Sequence, residues 1–236
     1  MKKKNKAICI IPARSGSKRI KNKNIKSFFG KPIIAWAIKT AIKSKCFDKI
    51  IVSTDDKKIA KIAKKYSAET PFLRPKNLST DYASILSVVK HSIKEMIKIN
   101  YKPNIVCCLL ATTPLLNYKD LQRGVRLLKN KKKRFVFTIK SYPYPIQRAL
   151  KINKKKHISM INSKEWYKRS QDLPETYHDA GQFYLGRAES FLTYNKIFTK
   201  NSMPIILKRF STIDIDNLDD WKEAELFFRL RKLKKI

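Results

Sequence analysis

The chain is 236 residues long with 43% hydrophobic and 11% aromatic residues, enough for one α/β domain with a substantial core and too apolar for compositional disorder. Its 54 Lys and Arg against 18 Asp and Glu give a formal net charge of +36, which would draw in nucleic acid or another polyanion. The basic residues are spread over nearly every segment, densest at 129–134, 151–157 and 229–235, and no nucleic-acid recognition module or membrane-length apolar run is present, so the expected partner is an anionic small molecule, not nucleic acid or a membrane.

In chain order, Lys2, Lys3, Lys4 and Lys6 look like the start of a signal peptide, but the apolar stretch after them breaks at Pro12-Ala13-Arg14 with no cleavage region. A cytoplasmic location is expected. Residues 7–11 are a continuous apolar run, the pattern of a buried strand. The run enters Ala13-Arg14-Ser15-Gly16-Ser17-Lys18-Arg19 and closes at Lys21-Asn22-Lys23-Asn24. A buried strand ending in small residues lets backbone N–H groups converge on an anion, and Arg14, Lys18 and Lys23 neutralise it. A phosphorylated ligand is expected here. The Walker spacing and the three-glycine dinucleotide fingerprint are both absent, which argues against ATPase and NAD readings.

Residues 31–45 place Ile33, Ile34, Ala37, Ile38, Ala41 and Ile42 at helical spacing, and 49–53 are a short β-branched run. Val52-Ser53-Thr54-Asp55-Asp56 then marks a strand-to-helix junction, which is either a ligand edge or a helix N-cap. Helices are predicted over 55–65, 81–99 and 118–129, and strands over 104–110 and 135–140. This alternation predicts a mainly parallel, doubly wound sheet. From 141 to 198 the pattern turns to tyrosine, proline and charge, read as an inserted arm on a single domain spanning 1–236. Strands are predicted at 203–207 and 209–215, and an amphipathic helix at 219–233.

In the second of those strands, Asp214 and Asp216 point to one face and Ile215 to the other. Two carboxylates suit Mg²⁺, which takes its remaining oxygens from phosphate and water. Asp219 and Asp220 read as caps of the helix that follows. Cys9, Cys46, Cys107 and Cys108 show neither a CxxC pair nor zinc spacing, and read as reduced core residues. His91 and His157 carry no assigned role.

Four stretches together resemble the CMP-sialic acid synthetase (acylneuraminate cytidylyltransferase) family, in order and over nearly the whole chain. They are the basic loop, Arg74-Pro75-Lys76-Asn77-Leu78-Ser79-Thr80-Asp81-Tyr82-Ala83-Ser84, the run from Arg169 to Tyr184, and Asp214-Ile215-Asp216-Asn217-Leu218-Asp219-Asp220-Trp221. The resemblance implies a three-layer α/β/α nucleotide-diphospho-sugar transferase-like (Rossmann-like) fold and a cytidylyltransferase that joins CTP to a nine-carbon acidic sugar. It implies that CTP is bound by Arg14, Ser15, Gly16, Ser17, Lys18, Lys23 and Asn24, and that the cytosine is read by Arg74 with Ala83 and Ser84. Arg14, Lys18, Lys23 and Asp216 would be catalytic, with Mg²⁺ on Asp214 and Asp216.

The sugar pocket implied by the resemblance holds Ala111, Arg169, His178, Gln182 and Tyr184, with the Arg169 fork on the sugar carboxylate. Sialic acid enzymes carry a Gln where Ala111 stands, and Arg-Pro-Asn-Gly where this chain has His178-Asp179-Ala180-Gly181. These departures resemble the pseudaminic acid branch of the family more than the sialic or legionaminic ones. Family members are commonly dimers that share an arm, which implies a homodimer.

Overall fold

The computed structural model describes residues 6–130 and 132–233. Lys2, Lys3 and Lys4 of the leader-like run lie outside the described residues, as do Lys131, Lys234 and Lys235 of the charged runs. The elements follow as β1 (Ala7–Pro12), β2 (Ser27–Phe28), β3 (Lys31–Pro32), α1 (Ile33–Ser44), β4 (Lys49–Ser53), α2 (Lys57–Lys65) and α3 (Ile85–Lys98). Next come β5 (Ile105–Leu109), α4 (Tyr118–Leu127), β6 (Phe135–Ser141), β7 (Leu150–Ile152) and β8 (Ile158–Met160). The chain ends with β9 (Tyr177–Arg187), α5 (Ala188–Thr193), β10 (Ser202–Ile206) and α6 (Leu218–Lys232).

Six strands form one sheet in the order β10-β6-β9-β5-β1-β4. β1 runs parallel to both β4 and β5, and β10 parallel to β6, whereas β9 runs antiparallel to β5 and β6. The expected mainly parallel sheet is therefore present, with one reversed strand near its centre. Strands covered on both faces read as unbroken apolar runs, and β1 shows why. Cys9 and Ile11 pack with Ala37 and Ile38 of α1 on one face, while Ile8 and Ile10 pack with Val89 and Ile93 of α3 on the other. Three of the four cysteines, Cys9, Cys107 and Cys108, are buried in these cores as free thiols, and Cys46 is half-buried. A third apolar cluster seats α6 through Trp221 and Phe228 against Phe28 and Ile33.

Two sequence expectations need correction. The inserted arm does not run to 198, because Tyr177–Arg187 is a long central strand paired on both sides. Its apolar pattern is interrupted by Gly181, Gln182 and Gly186, which hid it. The excursion is confined to residues 142–176, carrying the β7–β8 hairpin. Residues 209–215 are likewise not a strand. They have no ladder, and side chains satisfy their carbonyls instead: Lys140 Nζ donates to Thr212 O at 3.0 Å, Gln182 Nε2 to Ile213 O at 3.3 Å and Lys23 Nζ to Ile215 O at 2.6 Å.

Where β9 passes between Phe135 and Phe191, a Cβ on Gly186 would lie 2.7 Å from a Phe135 ring carbon and 2.9 Å from one of Phe191. Both rings are fully buried. Gly186→Ala should therefore destabilise the fold by about 1–3 kcal/mol through overpacking, read as a lower urea midpoint; an unchanged midpoint would show that the rings can move aside.

Candidate active site

The chain leaves β1 toward β4 on one side and β5 on the other, so the crevice beyond its carboxyl end is the topological switch point at which open α/β sheets meet ligands. The basic loop lies there. Its backbone is held by side chains: Asp55 accepts from Ser15 N at 3.2 Å and from Ser15 Oγ at 2.8 Å, and buried Asn24 donates to Arg14 O at 2.9 Å. The two readings of the Ser53–Asp56 junction separate cleanly. Asp56 is the N-cap of α2, accepting from Lys58 N and Ile59 N, while Asp55 fixes the loop.

The loop cations are matched to two carboxylates. Asp81 pairs with both Arg14 and Lys18, the latter at 2.8 Å, and Asp216 pairs with Arg19 at 2.8 Å and with Lys23 at 3.4 Å. Hydrogen bonds from Lys18 and then Arg14 lower the Asp81 carboxyl to about 2. These side chains line a cleft of about 450 Å³ that also receives Ser17, Asn24, Ala83 and Ala111. Gly16 has open space where a Cβ would stand. Ser84 lines a cavity adjoining this cleft and is the N-cap of α3, its Oγ accepting from Ser87 N at 3.1 Å.

Arg74 is 5% exposed and reaches the same cleft. Its Nε donates to Ser79 Oγ at 3.2 Å, and its Nη2 stands 3.7 Å from Asp55 without a hydrogen-bond partner. Burial lowers its pKa and the Asp55 charge opposes that shift. A guanidinium that lines the cleft while held beside Asp55 and Ser79 is suited to an acceptor atom on a ligand.

The acidic ledge follows β10. Ile215 is fully buried, while Asp214 and Asp216 stay accessible on the other side of the backbone. Asp214 lies against Gly181, where a Cβ would come within 2.6 Å of its Oδ2, and Gly181 has φ +60°. Surrounding protein and then the Asp216 charge raise the Asp214 carboxyl to about 6, against the pull of Lys23. Two carboxylates that repel one another beside a basic cleft fit a hard cation that brings phosphate oxygens with it. Among the described residues no group of three or more His, Cys, Asp or Glu gathers as a metal cage. The expected Asp220 cap is present within a capping box whose N-cap is Asn217.

The implied sugar residues separate. Ala111 is in the cleft. Tyr184 lines an adjoining cavity of about 420 Å³ that shares Ile85 with the cleft, and its hydroxyl donates to Asp179 Oδ2. His178 Nδ1 lies 2.8 Å from the Asp179 carbonyl, a contact that places a proton on that nitrogen, and its ring packs on Tyr142. Gln182 is fully buried, its amide nitrogen donating to the carbonyls of Ala180, Gly181 and Ile213, which ties β9 to the ledge, while its Oε1 has no hydrogen-bond partner. Arg169 is exposed on the excursion and pairs with Asp172 at 2.8 Å, away from the residues lining either cavity. Sequence reasoning named no role for Asp81 or Asp179, and left Asp55 between a ligand edge and a helix cap.

The cytidylyltransferase family model matches residues 8–235. The chain belongs to the cytidylyltransferase family. It is 42% identical over 225 residues to the pseudaminic acid cytidylyltransferase of Campylobacter jejuni subsp. jejuni serotype O:23/36 (strain 81-176), covering 95% of this chain and 97% of the relative. Identity to the N-acylneuraminate cytidylyltransferase of Escherichia coli O18:K1:H7 (strain RS218 / NMEC) is 29%, over 99% of this chain and 54% of that one. In fold it is similar to the solved CMP:2-keto-3-deoxy-manno-octonic acid synthetase complexed with CTP, with a TM-score of 0.69 at 15% identity over 96% of this chain and 99% of that one. The α/β fold expected from the sequence is thus the fold of cytidylyltransferases, which are nucleotidyltransferases acting on CTP.

In this cytidylyltransferase the raised Asp214 carboxyl has a consequence for stability. The folded state holds its proton more tightly than the unfolded chain, so this contribution is fully present below the ordinary carboxylate value of 3.8 and is lost as pH rises through about 6. Asp214→Asn should raise the thermal midpoint near neutral pH in divalent-free buffer, and the gain should vanish below about pH 4. A gain that persists in acid would assign it to packing against Gly181.

Proposed function

We propose that the chain converts CTP and pseudaminic acid into CMP-pseudaminic acid and pyrophosphate. The observation that carries the substrate is the 42% identity to a pseudaminic acid cytidylyltransferase along 97% of that relative's length, against 29% to an N-acylneuraminate enzyme. The basic cleft supports the chemistry. The anomeric hydroxyl of the sugar attacks the α-phosphorus of CTP and loses its proton to solvent, a new O–P bond forms as the bond from the α-phosphorus to the oxygen bridging it to the β-phosphate breaks, and pyrophosphate leaves. Negative charge builds on the phosphoryl oxygens and the leaving group, so fixed cations aimed at them are the main source of acceleration.

In this reading Arg14, Lys18 and Lys23 take the triphosphate, with the backbone of Ser15, Gly16 and Ser17 around it and Asn24 bracing the loop. Arg74, with Ala83 and Ser84, takes the cytosine, its guanidinium lying along the cleft. Asp214 and Asp216 would hold Mg²⁺, which when bound supplies Lewis-acid polarisation of phosphate oxygens. Ala111 and Tyr184 face the sugar, with His178 beside them. Arg169 serves the sugar carboxylate from the excursion of a second copy in a homodimer. Large apolar side chains left exposed on that excursion, among them Ile152, Ile158, Trp166 and Tyr167, support that contact. No described helix is long and apolar enough to cross a membrane, and use of CTP together with four free cysteines supports a cytoplasmic enzyme. The activated sugar would then serve glycosylation of a surface glycan or flagellin.

Pyrophosphate release is the test, with CTP, Mg²⁺ and pseudaminic, N-acetylneuraminic or legionaminic acid offered separately. Release with pseudaminic acid alone is expected; preference for another acid overturns the substrate, and no release with any overturns the reaction. Asp216→Ala should lower turnover by at least about a hundredfold, and near-normal Mg²⁺-dependent turnover in that variant would remove the ledge from catalysis.

A further inference from the structure

The Asp81 carboxylate bridges the two cations that open the basic loop, Arg14 and Lys18, from across the cleft. It comes from the turn between the short helical stretch Lys76–Leu78 and α3, a turn that also carries Ala83 and ends at the Ser84 cap. The chain has three basic residues for each acidic one, so a carboxylate that takes two cations in a ligand cleft has an effect there beyond general neutralisation. The pairs are open to solvent, with side-chain exposures of 31% for Arg14, 81% for Lys18 and 36% for Asp81. Exposed pairs of this kind are weak and exchange readily. A polyphosphate offers the same cations more charge and more acceptor oxygens than one carboxylate does.

We infer that Asp81 is a positioning residue that occupies Arg14 and Lys18 in the empty enzyme, yields them to the triphosphate when nucleotide enters, and reclaims them to help pyrophosphate leave. The inference rests on the cytidylyltransferase reading of the cleft and adds a residue to it. Asp81 acts through the two cations and needs no contact with the reacting atoms. Because the fraction of enzyme with both cations free sets the apparent affinity, removing the competitor tightens anion binding. Because the same turn carries Ala83 and Ser84, release of Asp81 by phosphate also frees the segment assigned to the base.

The test is calorimetric titration of the full chain with inorganic tripolyphosphate in magnesium-free buffer. Asp81→Asn should bind about tenfold more tightly than wild type, a size that two exposed ion pairs can supply by competition. Asp81→Glu, which keeps the charge, should stay near wild type. Adding Asp81→Asn to a Lys18→Gln background should gain less than it does alone, since one contested cation is already gone. In turnover assays Asp81→Asn should lower the CTP KM and sharpen inhibition by pyrophosphate. Equal or weaker tripolyphosphate binding by Asp81→Asn, an equal gain in Asp81→Glu, or full additivity with Lys18→Gln would each overturn the inference. Failure of the cytidylyltransferase reading would instead appear as no pyrophosphate release by wild type, with the titration still deciding the role of Asp81.

Discussion

Charge balance on one loop is the constraint on which the site depends. Arg14, Lys18, Arg19 and Lys23 stand within ten residues of each other, and in a chain of net charge +36 they have little reason to stay together without acids. Asp81 and Asp216 supply those acids from opposite sides of the cleft, one from the turn before α3 and one from the segment before α6. The pairing is strong enough to orient the cations and weak enough, being exposed, to be exchanged for a ligand. Asp55 fixes the loop backbone itself by binding Ser15 through both its N–H and its hydroxyl.

The acidic ledge shows the same economy of regular structure. Residues 212–215 make no ladder, yet their carbonyls are met by Lys140 from β6, Gln182 from β9 and Lys23 from the loop. Lys23 thereby joins the ledge to the loop directly, touching both the Ile215 carbonyl and Asp216. Gly181 lets the ledge approach β9, since any Cβ there would collide with the Asp214 carboxylate. The register shift between Phe137 and Ile139, where β6 meets β9, lies in the same region. The ladderless ledge, the positive-φ Gly181 and the β6–β9 register shift thus fall together beside the candidate site.

Much of the fold was legible because helix-covered strands keep long apolar runs and α1 and α3 keep their helical period. β9 was not, because glycines and a buried glutamine interrupt its pattern for reasons of close packing and support of the ledge. The 209–215 segment read as a strand because its side chains alternate, but alternation reports which face is buried and says nothing of a hydrogen-bonded neighbour. In the site, the loop cations and the two ledge aspartates were visible as charge on short segments. Asp55 and Asp81 were not, since their partners lie 40 and 67 residues away, and an acid at a strand or helix boundary looks like a cap. Resemblance names Gln182 as a sugar ligand, and its burial and its hydrogen bonds to the ledge were not legible in the sequence.

The most direct measurement is a crystal structure of the protein grown with CTP. The account predicts triphosphate oxygens on Arg14, Lys18 and Lys23, the cytosine beside Arg74, and Asp81 no longer bridging Arg14 and Lys18. A triphosphate bound elsewhere, for example against the basic cleft at the opposite end of the sheet beside Lys129, Lys133 and Arg134, would contradict it.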